Sequence, residues 1–537
     1  MRPRKFWGWG YQDERISVDE RTALGQIMQF HLPGMELHDT PEPELDDIAL
    51  PAPRFAAPDQ FDEVLSADKY ERAAHTYGRA TRDLIRGMQR DFSQPPDYVA
   101  FPESEEQIAA LMEWCGHSDV ALVPFGGGTS VVGGVEGGRV GETRAGVISL
   151  DMRKFDKVVE IDSISRAARM QAGLFGPALE SALKPHGYTL RHFPQSFEFS
   201  TLGGWLATRA GGHYASVYTH IDDFVESIRM VTPAGAMESR RLPGSGAGPS
   251  PDRMMLGSEG AFGVITEAWM RLQSRPVYRA AATAKFDGED GFLRGAECVR
   301  RLSQSGLFPT NCRLIDRQEA LFNGVGTGEH TLLVLGFESA DHPVDAWMAR
   351  AAELCRDAGA LLPSEAIKIR DDSGKAGGES ESWKESFLRA PYLRDTLLLL
   401  GVIAETFETA CTWDAFPTLY HSVLERGGAA LNELCGGGRI TCRFTHIYPD
   451  GPAPYFTVLA PGKPGQMLEQ WDAIKAAVSE TLIACGGTIT HHHAVGRDHR
   501  PWYDQQRPVL FAESLRASKE VFDPKGIMNP GVLVDRG

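Results

Sequence analysis

At 537 residues the chain is too long for one compact core, so at least two domains sharing an interface are expected. The hydrophobic fraction of 42% and charged fraction of 24% exclude a largely disordered chain, and a net charge of -17 excludes nucleic-acid binding through a broad basic surface. The longest apolar run, Thr396 to Ala404, is too short to span a bilayer, and the eight cysteines contain no Cys-x-x-Cys pair, the pattern of buried reduced thiols in a cytoplasmic protein.

Residues 1–93 open with an aromatic-rich stretch (Phe6 to Tyr11), pass an extended Pro-rich connection (Pro41 to Pro58) and read as helical from Asp68 to Gln89. From Pro95 the texture changes. Tyr98 to Phe101 reads as a strand, and Ser104 caps a helix that carries Ile108, Leu111, Met112 and Cys115 on one face. A buried strand, Val120 to Pro124, runs straight into Gly126-Gly127-Gly128-Thr129-Ser130. Strands at Gly146 to Leu150, Val158 to Asp162 and Ala168 to Ala172 follow, then small helices and loops to Leu272, with Gly244 to Gly248 as a flexible surface loop. After Pro276, strands such as Ala280 to Ala284 and Thr331 to Phe337 alternate with helices such as Asp345 to Asp357. The fold class expected is α+β. It has an N-terminal segment 1–93, a first domain 94–275, a second domain 276–493 and a tail 494–537 returning to the first domain.

Three glycines after a strand need a physical reason. Backbone without side chains turns tightly and aims successive N–H groups at an anion, and the hydroxyls of Thr129 and Ser130 add donors. The loop is neither a Walker A motif nor a Rossmann fingerprint, and alone it is no better read as a phosphate cradle than as a Gly-rich turn. It is joined by Pro95-Pro96-Asp97-Tyr98-Val99, Thr201-Leu202-Gly203-Gly204-Trp205 and Gly257 to Thr266. In order and spacing these four motifs resemble flavoproteins of the vanillyl-alcohol-oxidase type, whose PCMH-type domain binds FAD beneath a substrate cap domain. The resemblance implies cofactor contacts at Pro124, Gly126, Gly127, Gly128, Thr129, Ser130 and Asp151, at Pro194, Ser196, Thr201, Gly203, Gly204 and Thr208, and at Glu259, Gly260, Gly263, Val264 and Ile265. Residues 124 to 135 contain no histidine or cysteine, so the FAD is expected to be non-covalent. Trp205 is read as packing.

Within that group the chain is most similar to the alkyldihydroxyacetonephosphate synthases. The shared segments are Trp7-Gly8-Trp9-Gly10-Tyr11, Pro194 to Thr201, Cys312-Arg313-Leu314-Ile315-Asp316, Tyr392-Leu393-Arg394-Asp395, Glu405 to Thr409, Thr441-Cys442-Arg443, Pro454-Tyr455-Phe456 and His491 to Gly496. This family exchanges the acyl chain of acyl-dihydroxyacetone phosphate for a long-chain alcohol, without net redox change, in ether-lipid synthesis. Such chemistry needs a cationic phosphate clamp and groups that move protons. The resemblance places Arg313 and Arg394 at the substrate, and Tyr455, His491, His492, His493 and Arg394 in catalysis. An ordinary tyrosine titrates near about 10, so Tyr455 needs a positive neighbour to act as a base.

From the residues alone, Arg313 could pair with Asp316 at a surface, and Tyr455 could be a half-buried strand aromatic. No metal is expected at the three histidines: on a strand only His491 and His493 share a face, and no carboxylate is near in sequence. One departure from the family is the short connection Phe322 to Gly328, where a long insertion usually follows the arginine segment. The rival reading is an FAD-dependent oxidase or dehydrogenase of an alcohol or hydroxy acid. Its metal-dependent version is disfavoured, because Tyr455 stands where the motif beginning at His446 carries a second histidine. The partners expected are a phosphorylated or lipid small molecule and a second copy of the chain in a homodimer; peripheral membrane contact is left open.

Overall fold

Strands buried on both faces read as continuous apolar runs, and Val120–Phe125 and Gly146–Asp151 do so because each lies inside a parallel stack. In the computed structural model, which describes residues 2–140, 143–218, 220–372 and 393–536, they pair in parallel with each other. Tyr98–Ala100 joins Gly146–Asp151 on the far side, and the two-residue strand Leu65–Ser66 closes that edge in the antiparallel sense. The connecting helix Glu105–Ser118 starts where the Ser104 side chain accepts from Gln107 N–H.

A second, five-stranded antiparallel sheet has the order Val158–Asp162, Ala167–Gln171, Val264–Arg271, Val225–Thr232, Gly235–Glu238. Three of these strands fall where the sequence reads as small helix and loop. Glu226, Arg229, Glu267 and Arg271 interrupt their apolar pattern, and neighbouring glycines mask the rest. The expected helix from Asp68 to Gln89 is in fact two, Lys69–Ala74 and Thr81–Met88. Between them Arg79 N–H bonds Ser130 O (2.6 Å), so the interruption is a docking point for the glycine loop.

The third sheet has seven antiparallel strands, in the order Lys368–Asp371, Tyr278–Phe286, Thr331–Ser339, Asn311–Ile315, Arg439–Ile447, Pro452–Pro461, Val402–Glu408. Side chains alternate along a strand, and here the alternation divides labour. Cys312, Leu314, Cys442, Phe444, Phe456, Val458 and Phe407 enter one apolar core with helices Gly291–Ser303, Asp345–Asp357, Phe416–Cys435 and Met467–Ala484. Their neighbours Arg313, Arg443, Tyr455 and Glu408 therefore project from the opposite face.

The C-terminal residues return to the parallel sheet, where Met528 bridges Leu122. Lys519, on the helix Val509–Phe522, is 1% exposed and donates to Asp523 Oδ2 (2.7 Å), Ala261 O (2.6 Å) and Met528 O (2.7 Å). Removing one partner of a buried pair leaves the other uncompensated, at a cost of about 3 kcal/mol. Lys519→Ala is accordingly expected to lower the midpoint of thermal unfolding by several degrees. An unchanged midpoint would show that this anchor contributes little.

Candidate active site

The strand Val120–Phe125 ends in a loop whose backbone N–H groups from Gly127 to Ser130 donate to no group among the described residues. A Cβ on Gly126 would lie 2.3 Å from Thr201 Oγ1, and one on Gly127 1.7 Å from Phe199 O, so the loop presses on residues 199–201 as only glycine allows. Beside it runs a narrow, partly open cleft. Pro124, Gly126, Ser130, Thr201, Gly203, Gly204, Thr208, Glu259, Gly260, Gly263, Val264 and Ile265 all line it, with Met152, Ala172 and Ala207. A row of backbone donors beside a mainly apolar slot suits a pyrophosphate and a flat ring, so the residues present fit FAD.

The structure brings some predicted cofactor residues only indirectly to this cleft. Gly127, Gly128 and Thr129 belong to the loop but not to the lining, and Gly128 (φ +67°) packs over the Phe125 ring. Pro194 and Ser196 form the turn that presents Phe199: Ser196 O accepts from the N–H of Phe199 and of Ser200, both at 2.9 Å. The Asp151 carboxylate lies outside the lining and is taken up by His75 Nε2 (2.9 Å) and Arg153 Nη2 (2.6 Å). Trp205 is buried, its indole N–H donating to Ser200 Oγ (2.7 Å), as packing requires.

Behind the loop sits a residue that the sequence reading passed over. Arg4 Nη1 donates to Gly127 O (3.0 Å) and Phe199 O (3.2 Å), while its guanidinium lies 4.6 Å from the Phe175 ring centroid. Burial, with Arg79 nearby, lowers its pKa to about 10. The same N-terminal hairpin also touches the segment that precedes the strand Val402–Glu408, where Trp9 N–H donates to Asp395 Oδ2 (2.7 Å). Asp395 is next to Arg394, whose Nη2 donates to Thr406 Oγ1 (3.2 Å). Tyr392, from the same segment, lies outside the described residues.

The polar face of the seven-stranded sheet builds the second half of the site. Register pairs Arg443 with Tyr455 and Tyr455 with Glu408, so the three stand in one row across adjacent strands. The Arg443 guanidinium lies 4.1 Å over the Tyr455 ring and is held by the fully buried Glu319. Arg313 is 4% exposed rather than at a surface, and its Nη2 donates to His213 Nδ1 (2.8 Å). Burial, then Arg443, pushes its guanidinium down to about 9. Asp316, the surface partner considered for it, instead caps the helix Arg317–Phe322, accepting from Glu319 N–H (2.7 Å).

The three histidines form a turn, not a strand, and a carboxylate does lie beneath them. Glu408 accepts from the N–H of His491 (2.5 Å), His492 (3.2 Å) and His493 (3.0 Å), and from Thr490 Oγ1 (2.6 Å). Burial alone would raise its pKa; the imidazoles around it and the Thr490 hydroxyl outweigh burial and hold it well below the usual carboxylate range. Burial likewise drives the imidazoles toward the neutral form, His492 to about 3 and His493 to about 4. The Tyr455 ring stands 6.0 Å from His492 and 5.7 Å from His493. Further along, Glu259 accepts from the N–H of Val495 (2.8 Å) and Gly496 (2.7 Å), joining the turn to the cleft.

Several groups here were not legible as site residues: Glu319, Glu408, Arg443, His446, Tyr448, His213 and His220. The one available signal was an acidic residue closing the apolar run Val402–Glu408, which implies a buried carboxylate with dedicated donors. His446 reaches the polar face because a bulge between Phe444 and His446 adds a residue while Phe444 and Ile447 both stay in the core. Arg4 generates a test. Arg4→Met removes a charge-assisted clamp on the loop and is expected to weaken FAD binding about tenfold on reconstitution, with Arg4→Lys partly restoring it. Equal affinity in all three proteins would remove Arg4 from the cofactor site.

Comparison with known proteins agrees with this geometry. Residues 96–239 match the FAD binding domain family and residues 275–533 the C-terminal domain of FAD linked oxidases. Alkyldihydroxyacetonephosphate synthase of Dictyostelium discoideum is 30% identical over 98% of this chain and 85% of its own length. That of Trypanosoma brucei brucei is 30% identical over 99% and 92%. A solved alkyldihydroxyacetonephosphate synthase structure superposes with a TM-score of 0.81 at 26% identity, covering 98% of each chain. A loop of free backbone donors beside a slot, and a row of arginine, tyrosine and glutamate under three histidines, thus occur in a chain that belongs to the alkyldihydroxyacetonephosphate synthase family of FAD-binding enzymes.

Proposed function

We propose that this enzyme exchanges the acyl chain of an acyl-dihydroxyacetone phosphate for a long-chain alcohol, the step that makes the ether bond of ether lipids. The single observation that carries the reading is the Arg443–Tyr455–Glu408 row, with the histidine turn above it and Arg313 on the same face. FAD, when bound, supplies a ring that can accept and return an electron pair, so the exchange ends without a net change of oxidation state. Residues 94–275 and 494–537 hold the cofactor, and 276–493 hold the substrate.

Arg313 and Arg394 bind the phosphate, for which planar guanidinium forks are suited. Tyr455, polarised by Arg443, takes a proton from the carbon beside the ketone. His492 and His493 are neutral and each within 6.0 Å of the Tyr455 ring, so they receive or return protons as acid leaves and alcohol enters. Glu408 is a positioning residue: it fixes the turn that presents both imidazoles. Among the described residues no helix is long and apolar enough to cross a membrane.

Adding palmitoyl-dihydroxyacetone phosphate to the anaerobic holoenzyme is expected to bleach the flavin. A fatty alcohol should then restore the spectrum with release of ether product. Bleaching by an alcohol or hydroxy acid instead, reversed only by oxygen or a dye, would make the chain a redox enzyme. Arg394→Ala and His492→Ala are each expected to lower turnover by at least about 100-fold with FAD still bound. Retained activity in both would remove these residues from the reaction.

A further inference from the structure

A neutral imidazole has one N–H and one lone pair. It gives up its proton without becoming an anion only by gaining another at the opposite nitrogen. It accepts one without becoming a cation only by releasing the other. The cation is disfavoured at the histidine turn. Burial, opposed by Glu408 and reinforced by His493, His220 and Arg443, brings His492 to about 3. Burial, then His446, His492 and His220, hold His491 well below the usual imidazole range despite Glu408. The exchange proposed above nevertheless needs a proton for the departing acid and a place for the proton of the entering alcohol.

A line of hydrogen-bonding atoms runs through these rings. His492 Nδ1 lies 3.1 Å from His491 Nδ1, and His491 Nε2 lies 2.7 Å from Tyr448 Oη. Two nitrogens that close share a single proton, so the tautomers of the two rings are coupled. At the inner end His492 Nε2 hydrogen-bonds no group among the described residues, and the Tyr455 ring lies 6.0 Å from the His492 ring, nearly parallel to it. At the outer end Tyr448 is partly exposed. Burial, then Glu408 and the exposed Asp223 and Asp450, hold its phenol well above the usual value, so it stays neutral and both donates and accepts. Trp413 fixes that end, its indole N–H donating to Tyr448 O (3.1 Å). Groups beside the line are engaged elsewhere: His446 Nε2 with Gly212 O and His220 Nε2 with His491 O, each at 2.9 Å. Glu408, 3.7 Å from His492 Nδ1, accepts from the N–H groups of the turn.

We propose that His492, His491 and Tyr448 form a proton relay between the reacting substrate oxygens and solvent. The relay rests on the exchange reaction proposed above. As the alkyl C–O bond of the ester breaks, His492 Nε2–H protonates the departing carboxylate oxygen. His492 Nδ1 then takes the proton of His491 Nδ1, His491 Nε2 takes that of Tyr448, and solvent restores the phenol. As the alcohol oxygen bonds to the vacated carbon, its proton goes to His492 Nε2 and the transfers run in reverse, returning one proton to water. In each half one proton enters the line and one leaves, no ring becomes charged, and the two halves together restore both tautomers. Tyr448 and His491 act through His492 and touch no substrate themselves.

The test compares the FAD-bound wild-type chain with Tyr448→Phe and His491→Gln, each with unchanged flavin content, in the exchange of palmitoyl-dihydroxyacetone phosphate with a fatty alcohol. Tyr448→Phe should lower kcat about 100-fold while KM for both substrates stays within about twofold. Added imidazole buffer should raise its turnover saturably, by replacing the missing outer group, and leave the wild type unaffected. His491→Gln, broken in the middle of the line, should lose as much and gain nothing from the buffer. A Tyr448→Phe protein as fast as the wild type, or slowed but indifferent to buffer, overturns the relay while ether synthesis stands. A wild type that forms no ether overturns the exchange reading, and the relay with it.

Discussion

Two buried carboxylates hold one stretch of chain, and the rest of the site is arranged around that fact. Glu408, at the end of a strand in the seven-stranded sheet, collects three consecutive N–H groups from His491 to His493. Glu259, beside the cleft, collects the N–H groups of Val495 and Gly496. A buried donor without an acceptor costs about 1–3 kcal/mol, so neither carboxylate can move without releasing several donors at once. The histidine turn is thereby stretched between the sheet that carries Tyr455 and the segment around Glu259 that lines the cleft. Beyond it Arg497 N–H bonds Val132 O (2.9 Å), continuing the same attachment along the glycine loop.

Seven antiparallel strands give the site its other surface at small structural cost. Because alternate side chains face opposite ways, an apolar core on one face leaves the other for polar groups that the register aligns. Arg443, Tyr455 and Glu408 come from three different strands yet need no loop to bring them together. Only His446 breaks the alternation, and it does so through a bulge. Rigid strands set these groups more firmly than loops could.

The sequence announces whatever depends on local geometry. Gly126 and Gly127 are legible because close approach of backbone to residues 199–201 admits no side chain, Gly128 because it sits at positive φ over the Phe125 ring, and Ser104 because its cap is local. Three of the four predicted motifs, Gly126–Ser130, Thr201–Trp205 and Gly257–Thr266, line the cleft, whereas in Pro95–Val99 the Asp97 carboxylate is taken up by Arg54 and Val147 N–H. Glu408, Glu319 and His446 were not legible because their meaning lies in register, a relation between strands tens of residues apart. Asp151 shows the converse. A conspicuous acid after a strand looks available for a ligand until His75 and Arg153 are seen to occupy it. Arg4 was hidden for a further reason: a lone arginine near the start of a chain gives no hint that the hairpin around it packs behind the glycine loop.

That hairpin also bears on how an acidic chain would hold the phosphorylated substrate proposed for it. With a net charge of -17, the long-range field repels anions, so attraction must be local and held in place. Glu319 takes up Arg443, and Glu408 is occupied with backbone donors, so the nearby carboxylates are already engaged. Arg313 is held by His213 and Arg394 by Thr406. The residue next to Arg394, Asp395, is turned away to receive Trp9 N–H, and burial raises its pKa to about 7, which lessens its opposing charge. One N-terminal strap therefore braces the glycine loop through Arg4 and engages Asp395, the acid next to Arg394, through Trp9. Recognition of an anion here is a matter of where a few guanidinium groups are held, not of how many charges the chain carries.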